Sequence, residues 1–329
     1  MKPLGKPSPR RESTHPDVGL ISAWFKAGGP WHQAFDPIPF PTEHPTHHPQ
    51  GLVKIGNHFY ISTVDKAGKR SSEHQNGYVY KLHFDSKKLR LTSVAQKRLS
   101  IFVEGEAQRE FHPGGMDFDP LRNAIIIPLS QYRAHSTTTF LALDPETLST
   151  KELLADSDHY GSIICVGDAL LATTWHAESL RLLTQEDRYD LGKMPASYQD
   201  CKFIHSLEKD KHTYIYALCG GLHRKGSIYW KAKLSLPEYI KDGFLDLIEI
   251  QVDSTLNKCK INRLGSKVVD IIDGLPLTHN TLAVEQVKID SKNSHLRFYF
   301  SPHDNENTKL FAYDTPLFEK TSHGHYKKI

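Results

Sequence analysis

His112-Pro113-Gly114-Gly115-Met116-Asp117 leads into an apolar run that alternates like a β-strand, and the phrase returns three more times along the chain. The near-copies are His48-Pro49-Gln50-Gly51, His159-Tyr160-Gly161-Ser162 and His279-Asn280-Thr281-Leu282. Each opens one strand-like run that a second follows at once. A repeated all-β unit that carries a polar residue at its start predicts a ring of such residues about one axis. The expected fold class is all-β: a single β-propeller, five-bladed in preference to six, closed by an N-terminal strand.

Working outward from these phrases gives the blades. Blade one takes runs 51–55, 58–64, 78–84 and 89–96, and blade two takes 115–118, 124–128, 138–143 and 147–154. Asp119-Pro120-Leu121-Arg122-Asn123 and Asp144-Pro145-Glu146-Thr147 have turn chemistry, with Pro fixing φ. Blade three takes 162–166, 170–174, 179–184 and 187–191. Blade four takes 198–206, 214–219, 227–234 and 245–251. Blade five takes 282–289, 296–301 and 309–314 and lacks an outer strand, for which the apolar run 18–25 is the candidate. From Gly51 the repeats advance by 64, 46 and 39 positions to Asp200, then by 81 to Thr281. The long interval holds residues 257–276, the candidate sixth blade. No helix of convincing period is found, residues 237–243 being the best short turn.

A chain of 329 residues with 38% hydrophobic content buries a large core as one domain. Its formal net charge is only +3, with Lys and Arg scattered, which argues against a nucleic-acid track. No apolar run approaches the roughly 20 residues of a membrane helix, so no membrane insertion is expected. Residues 1–16 form a basic lead-in rich in Pro and Ser, expected to be disordered and without a signal-peptide core; 17–316 form the propeller and 317–329 a C-terminal tail. The expected location is cytoplasmic, or the chain is trimmed from a longer precursor. Cys165, Cys201, Cys219 and Cys259 read as free thiols, with a Cys201–Cys219 bridge across one hairpin left open.

In a propeller two sets of loops share one face. The set entering the innermost strands carries His48 and Gln50, His112, His159 and Tyr160, Gln199 and Asp200, and His279 and Asn280. The set joining second and third strands carries Asp65, Gln131-Tyr132-Arg133, Trp175-His176, His223-Arg224 and His303-Asp304. Imidazoles, amides and aromatic rings with few carboxylates describe a small-molecule site. His48, His112, His159, Tyr160, Gln199 and His279 are the candidate catalytic residues, orienting and polarising a substrate. Gln50, Tyr132, Arg133, Trp175, His176, Asp200, Asn280, Glu285 and His303 are the candidate substrate-binding residues. Any one His before a turn also has a plain structural reading, bonding a neighbouring backbone. Trp175 reads as a packing residue or a stacking wall. Glu285, one strand further in, reads as a buried carboxylate or as one turned to the next sheet.

The chain has no Gly-x-Ser-x-Gly elbow and no Gly-rich phosphate loop. Neutral donors suit a conjugated carbonyl whose oxygen gains charge. The leading expectation is therefore a cofactor-free enzyme acting on a small, mainly apolar organic substrate, with pericyclic cyclisation as its chemistry. One alternative is a hydrolase, lactonase or lyase using one divalent transition metal, since neutral imidazoles are good ligands for such ions. Another is a ligand-binding propeller without chemistry. Glycosidase chemistry would need a carboxylate pair, which Asp65, Asp200, Glu285 and Asp304 could furnish.

Over its full length the chain resembles a β-propeller family of bacteria and fungi. The phrases that carry this are His48-Pro49-Gln50-Gly51-Leu52, His112-Pro113-Gly114-Gly115-Met116-Asp117, Pro128-Leu129-Ser130-Gln131-Tyr132-Arg133 and Tyr198-Gln199-Asp200-Cys201. More distantly it is similar to the senescence-marker and strictosidine-synthase propellers, which hold a divalent cation with a Glu/Asn/Asp set. The corresponding entrances here carry His or Gln. In architecture it also resembles the fungal propeller enzymes of hetero-Diels–Alder cyclisation, which implies a cofactor-free cyclase of secondary metabolism and transfers no residue.

Overall fold

The computed structural model describes residues 15–41, 47–65, 76–101, 110–175, 179–224, 240–253, 259–303 and 308–329. The fold is a β-propeller. Blade one is the antiparallel sheet His47–Ile55, His58–Asp65, Asn76–Asp85 and Arg90–Leu99. Blade two has a broken inner strand, His112–Pro113 and Asp117–Asp119, followed by Ala124–Ser130, Thr138–Leu143 and Thr150–Asp156. Blade three is Tyr160–Val166, Ala169–Thr174, Leu180–Leu183 and Arg188–Gly192. Apolar clusters fill the spaces between neighbouring blades. Ile164, Leu171 and Leu182 of blade three meet Cys201, Ala217 and Ile248 of blade four. Alternation along each strand supplies one apolar set to each neighbour.

Blade four differs from the expected run assignment. Its strands are Tyr198–Lys209, His212–Arg224, Ile240–Asp253 and Cys259–Val269. The run 245–251 is thus the third strand, not the outermost, and 227–234 lies outside the described residues. The candidate sixth blade splits into the outer strand of blade four and a two-stranded ribbon, Ile271–Ile272 with Leu275–Pro276. Arg263, Leu264, Ser266 and Val268 face solvent as on an edge strand, so the segment's apolar content is lower than a blade core demands.

Blade five is built from both sides of the chain. Ala283–Lys288, Asn293–Phe300 and Lys309–Asp314 are joined by His32–Gln33 and Ile38–Pro39, which both pair antiparallel to Lys309–Asp314. Phe318–Lys320 and Tyr326–Lys328 add to the same sheet. An N-terminal strand does close the ring, but not the expected one. Residues Val18–Ala27 are an α-helix. Asp17 caps it by accepting from Gly19 N–H, and Leu20, Ile21 and Trp24 fall on one buried face at helical spacing. Trp24 packs on Phe298, with Lys267 over its ring. Among the described residues no helix is long and apolar enough to cross a membrane.

Cys201 and Cys219 are directly opposite in the first hairpin of blade four and form a disulfide. This corrects the free-thiol reading for that pair; Cys165 and Cys259 are free.

The axis is a packed polar plug. Lys202 Nζ donates to Asp200 Oδ1 at 2.7 Å and to the Met116 carbonyl. Asp200 Oδ2 accepts from Leu282 N–H at 2.9 Å and Leu52 N–H at 3.3 Å. Asp117 Oδ2 accepts from Cys165 N–H at 3.0 Å and Phe203 N–H at 3.1 Å. Three side chains therefore tie the inner strands of all five blades. Backbones come so close here that a Cβ at Gly51 would sit 2.7 Å from Met116 N, and one at Gly115 would sit 2.6 Å from Asp200 Oδ1. Glycine at both places is required by space.

Burial pushes both axial carboxyls up to about 7 against the Lys202 charge and the backbone donors that favour ionisation. The unfolded value is about 3.9, so between that and 7 the folded state binds more protons than the unfolded one. Their contribution to stability is complete at the acid end of this window and is lost as pH rises through it. The urea midpoint is expected to fall between pH 5 and 8 in the native chain and to fall less in Asp117→Asn. Equal slopes would contradict the assignment.

Candidate functional site

The repeated phrase acquires a structural meaning at one end of the plug. In blade one the register slips between Pro49 and Gly51, in blade three between Tyr160 and Ser162, and in blade four between Tyr198 and Asp200. Each slip is a β-bulge, and the extra residues are Gln50, Gly161 and Gln199. Blade two breaks its inner strand at the same step, Gly114–Met116. There Gly115 N–H donates instead to the Gly161 carbonyl across the blades. Aligned by their bulges, the phrases put His48, His112, His159 and Ser197 in equivalent positions. Ser197 was not among the sequence candidates; the signal for it was Tyr198 matching Tyr160.

Two groups of side chains gather at this mouth. On the side of blades two and three, His112 lies 4.7 Å from Tyr132 and 5.9 Å from His159 between ring centroids. Trp175 stands edge-on to His159 at 4.0 Å and 5.5 Å from Tyr132. Tyr132 is 57% exposed and forms the outer lip, while His159 is buried at the base. Arg133 is exposed and turns its Nε to the side-chain oxygen of buried Gln131 at 2.8 Å. On the side of blades five and one, His48 and His279 lie 5.9 Å apart, and Asn280 Nδ2 donates to His48 Nε2 at 3.2 Å. Asn280 holds a left-handed backbone, φ 77°, which asparagine tolerates better than most residues.

Carbonyl partners set the polarity of these rings. His159 Nδ1 faces the Arg133 carbonyl at 3.0 Å and His279 Nδ1 faces the Pro302 carbonyl at 2.9 Å. A carbonyl only accepts, which favours the proton on each Nδ1 and leaves each Nε2 an acceptor in the neutral ring, although at His279 the Asn280 amide also approaches Nδ1 at 3.3 Å. His48 Nε2 accepts from the Asn280 amide, so in the neutral ring its proton lies on Nδ1. The sequence reading treated all the imidazoles as polarising donors. The backbone carbonyls instead turn two of them to present an accepting nitrogen.

Other candidates lie away from the mouth. Tyr160 is fully buried against Phe140 and donates to Asp156 Oδ2 at 2.7 Å. Tyr198, one blade on, does the same to Asp246 at 2.6 Å, so the second place of the phrase is a structural anchor. Asp200 belongs to the axial plug. Glu285 bridges blades five and one, paired with Lys54 at 2.6 Å and accepting from Tyr299. His303 is buried, its Nε2 on the Ile272 carbonyl at 2.9 Å. His176 and Asp304 lie outside the described residues, as do the side chains of His223 and Arg224.

The imidazoles meet in pairs. Among the described residues no three His, Cys, Asp or Glu side chains come together as a set that could hold a metal ion. Two small cavities lie elsewhere. One is walled by Phe40, His47, Ile61, Tyr80 and Leu82 between blades one and five, and the other by His15, Lys54, Phe118, Lys202 and Val284.

The molecule is thus a β-propeller with a plugged axis and an aromatic, imidazole-lined mouth. The chain belongs to DUF6454, a family of unknown function, whose model matches residues 23–319. No curated protein matches it. Among solved structures it is similar to the glutaminyl cyclase of Myxococcus xanthus, at 13% identity and TM-score 0.39, covering 86% of this chain and 95% of that one. It is similar to Trypanosoma rangeli sialidase at 10% identity and TM-score 0.41, covering 82% of this chain and 44% of that one, so it spans less than half of the sialidase. It is also similar to PpgL, the periplasmic gluconolactonase of Pseudomonas aeruginosa, at 12% identity and TM-score 0.34, covering 85% and 84%. At such identities no activity is transferred.

Proposed function

We propose that the mouth binds a small, flat, conjugated carbonyl compound and that the chain is a cofactor-free enzyme of the cyclase or isomerase type, a pericyclic cyclase of secondary metabolism being its most specific form. The observation that carries this reading is the cleft of His112, Tyr132, His159 and Trp175, in which His112 and Trp175 each lie within 6.5 Å of the other three rings between centroids. Flat ligands stack in such a cleft. His159 and His279 supply bases on opposite sides, and His48 supplies a donor. Proton removal beside a carbonyl, with charge gathering on its oxygen, needs only these groups. It generates the extended conjugation from which a ring can close. Holding two arms of one substrate together lowers the entropic part of the barrier.

Trp175 provides the test. Titration with a panel of conjugated ketones and lactones is expected to quench tryptophan fluorescence to saturation for at least one compound. Trp175→Phe should abolish most of that quench, and Trp175→Ala should weaken binding about tenfold. Product analysis on the binding compounds then separates turnover from binding alone. Quenching that survives in Trp175→Phe, or none in the native chain, would reject the site.

A further inference from the structure

His58 and His83 stand directly opposite each other on the second and third strands of blade one. Phe84 N–H donates to the Asn57 carbonyl at 2.8 Å, which makes 57 and 84 a hydrogen-bonded pair. The next pair along, His58 with His83, is therefore of the non-hydrogen-bonded kind, in which side chains come closest. Their ring centroids are 5.3 Å apart, and both side chains are half-buried. The pair sits beside the Gly56-Asn57 turn, at the opposite end of the sheet from His48. The face it shares is turned to blade two, where Tyr60 donates to the Pro145 carbonyl at 2.7 Å. The charged groups around it are Lys81, Glu146 and Asp85. Glu146 occupies the Lys81 ammonium at 3.0 Å, and Asp85 accepts from the Lys87 and Lys88 N–H groups of the following turn.

Neutral imidazoles are the ligands that first-row divalent ions favour, and two of them on facing strands can chelate one ion. A nitrogen bound at about 2.0–2.1 Å places the ion about 3.2 Å from its ring centre. Ring centres 5.3 Å apart then subtend about 110° at a shared ion, the tetrahedral angle of zinc sites. A right angle, as in square-planar copper sites, would need centres about 4.5 Å apart. We propose that His58 and His83 form a two-ligand site for a divalent first-row transition ion, with zinc the closest geometric match. Burial, with the neighbouring Lys81 and His83 charges, holds the His58 imidazole below its ordinary value and so favours the ligating form. Water completes the coordination shell on the exposed side. The ion clips the second strand of blade one to the third. It shares no residue with the mouth, so the site stands independently of the chemistry proposed there.

Zinc chloride titrated by calorimetry into the full chain, after chelator treatment and desalting, tests the site beside His58→Gln and His83→Gln. The expected result is an event of one ion per chain that either substitution weakens about tenfold or more, because losing one arm already ends chelation. Zinc should also raise the urea midpoint of the native chain by more than that of either variant, since an ion held across two strands binds the folded state alone. Circular dichroism of the variants checks that these half-buried substitutions leave the fold intact. A zinc event of unchanged affinity and stoichiometry in either variant would overturn the assignment and move the ion to other imidazoles. Halved stoichiometry at unchanged affinity in each variant would mark two separate one-ligand contacts and would overturn the shared site. Absence of any zinc event in the native chain would overturn it outright.

Discussion

Asp200→Ala is expected to lower stability by about 3–5 kcal/mol, the usual consequence of removing one partner of a buried ion pair. The change orphans the Lys202 ammonium and leaves Leu52 N–H and Leu282 N–H without their acceptor, all in the fully buried axis. Since those two amides belong to blades one and five, the damage falls on the closure of the ring and not on one sheet. Asp200→Asn keeps an acceptor and the shape and should cost less. Urea unfolding by far-UV circular dichroism gives both numbers. A midpoint for Asp200→Ala within error of the native chain would show that the axis tolerates an empty plug.

The second large effect concerns chemistry. In a chain that turns over its substrate, His159→Ala combined with His279→Ala is expected to reduce turnover by two to three orders of magnitude or more, since each position is assigned to a base or to charge stabilisation in the reaction. Each ring faces a backbone carbonyl, of Arg133 or of Pro302, and circular dichroism of the variants checks that the fold persists without it. His159→Asn and His279→Asn keep polar bulk without basicity and separate positioning from proton transfer: recovery of turnover by these variants would refute the base assignment. Unchanged turnover in the double alanine variant would reject any role for the rings.

What could be read from the sequence follows from which signals are local. Strand alternation is local, so blades one, two and three and the inner three strands of blade five were legible nearly to their ends, while the outer strands of blade five were not. The bulges were legible only as a phrase; their register is a property of two strands. The Val18–Ala27 helix was mistaken for a strand because a short apolar run satisfies both periods, although Asp17 ahead of it was a visible cap. Asp200 and Lys202 advertised themselves as charges two apart in an apolar strand. Their partners, Leu52, Met116 and Leu282, lie 80 to 150 residues away or nearly so, and nothing in the chain names them. Tyr160 was placed at the mouth because it follows a His; the register turns its ring into the core. The tautomers of His159 and His279 depend on carbonyls from distant turns and could not be inferred from residue types.

Sheet five has a consequence for how the molecule comes into being. Its middle strands come from residues beyond 283, and its outer rungs come from residues 32–39. A nascent chain can assemble the first four sheets in order as they leave the ribosome, yet the stretch carrying those outer rungs must wait for partner strands made 270 to 282 residues later. Sealing this seam is thus a late step of high contact order, and the waiting segment is the place where a chaperone or a second nascent copy would intervene.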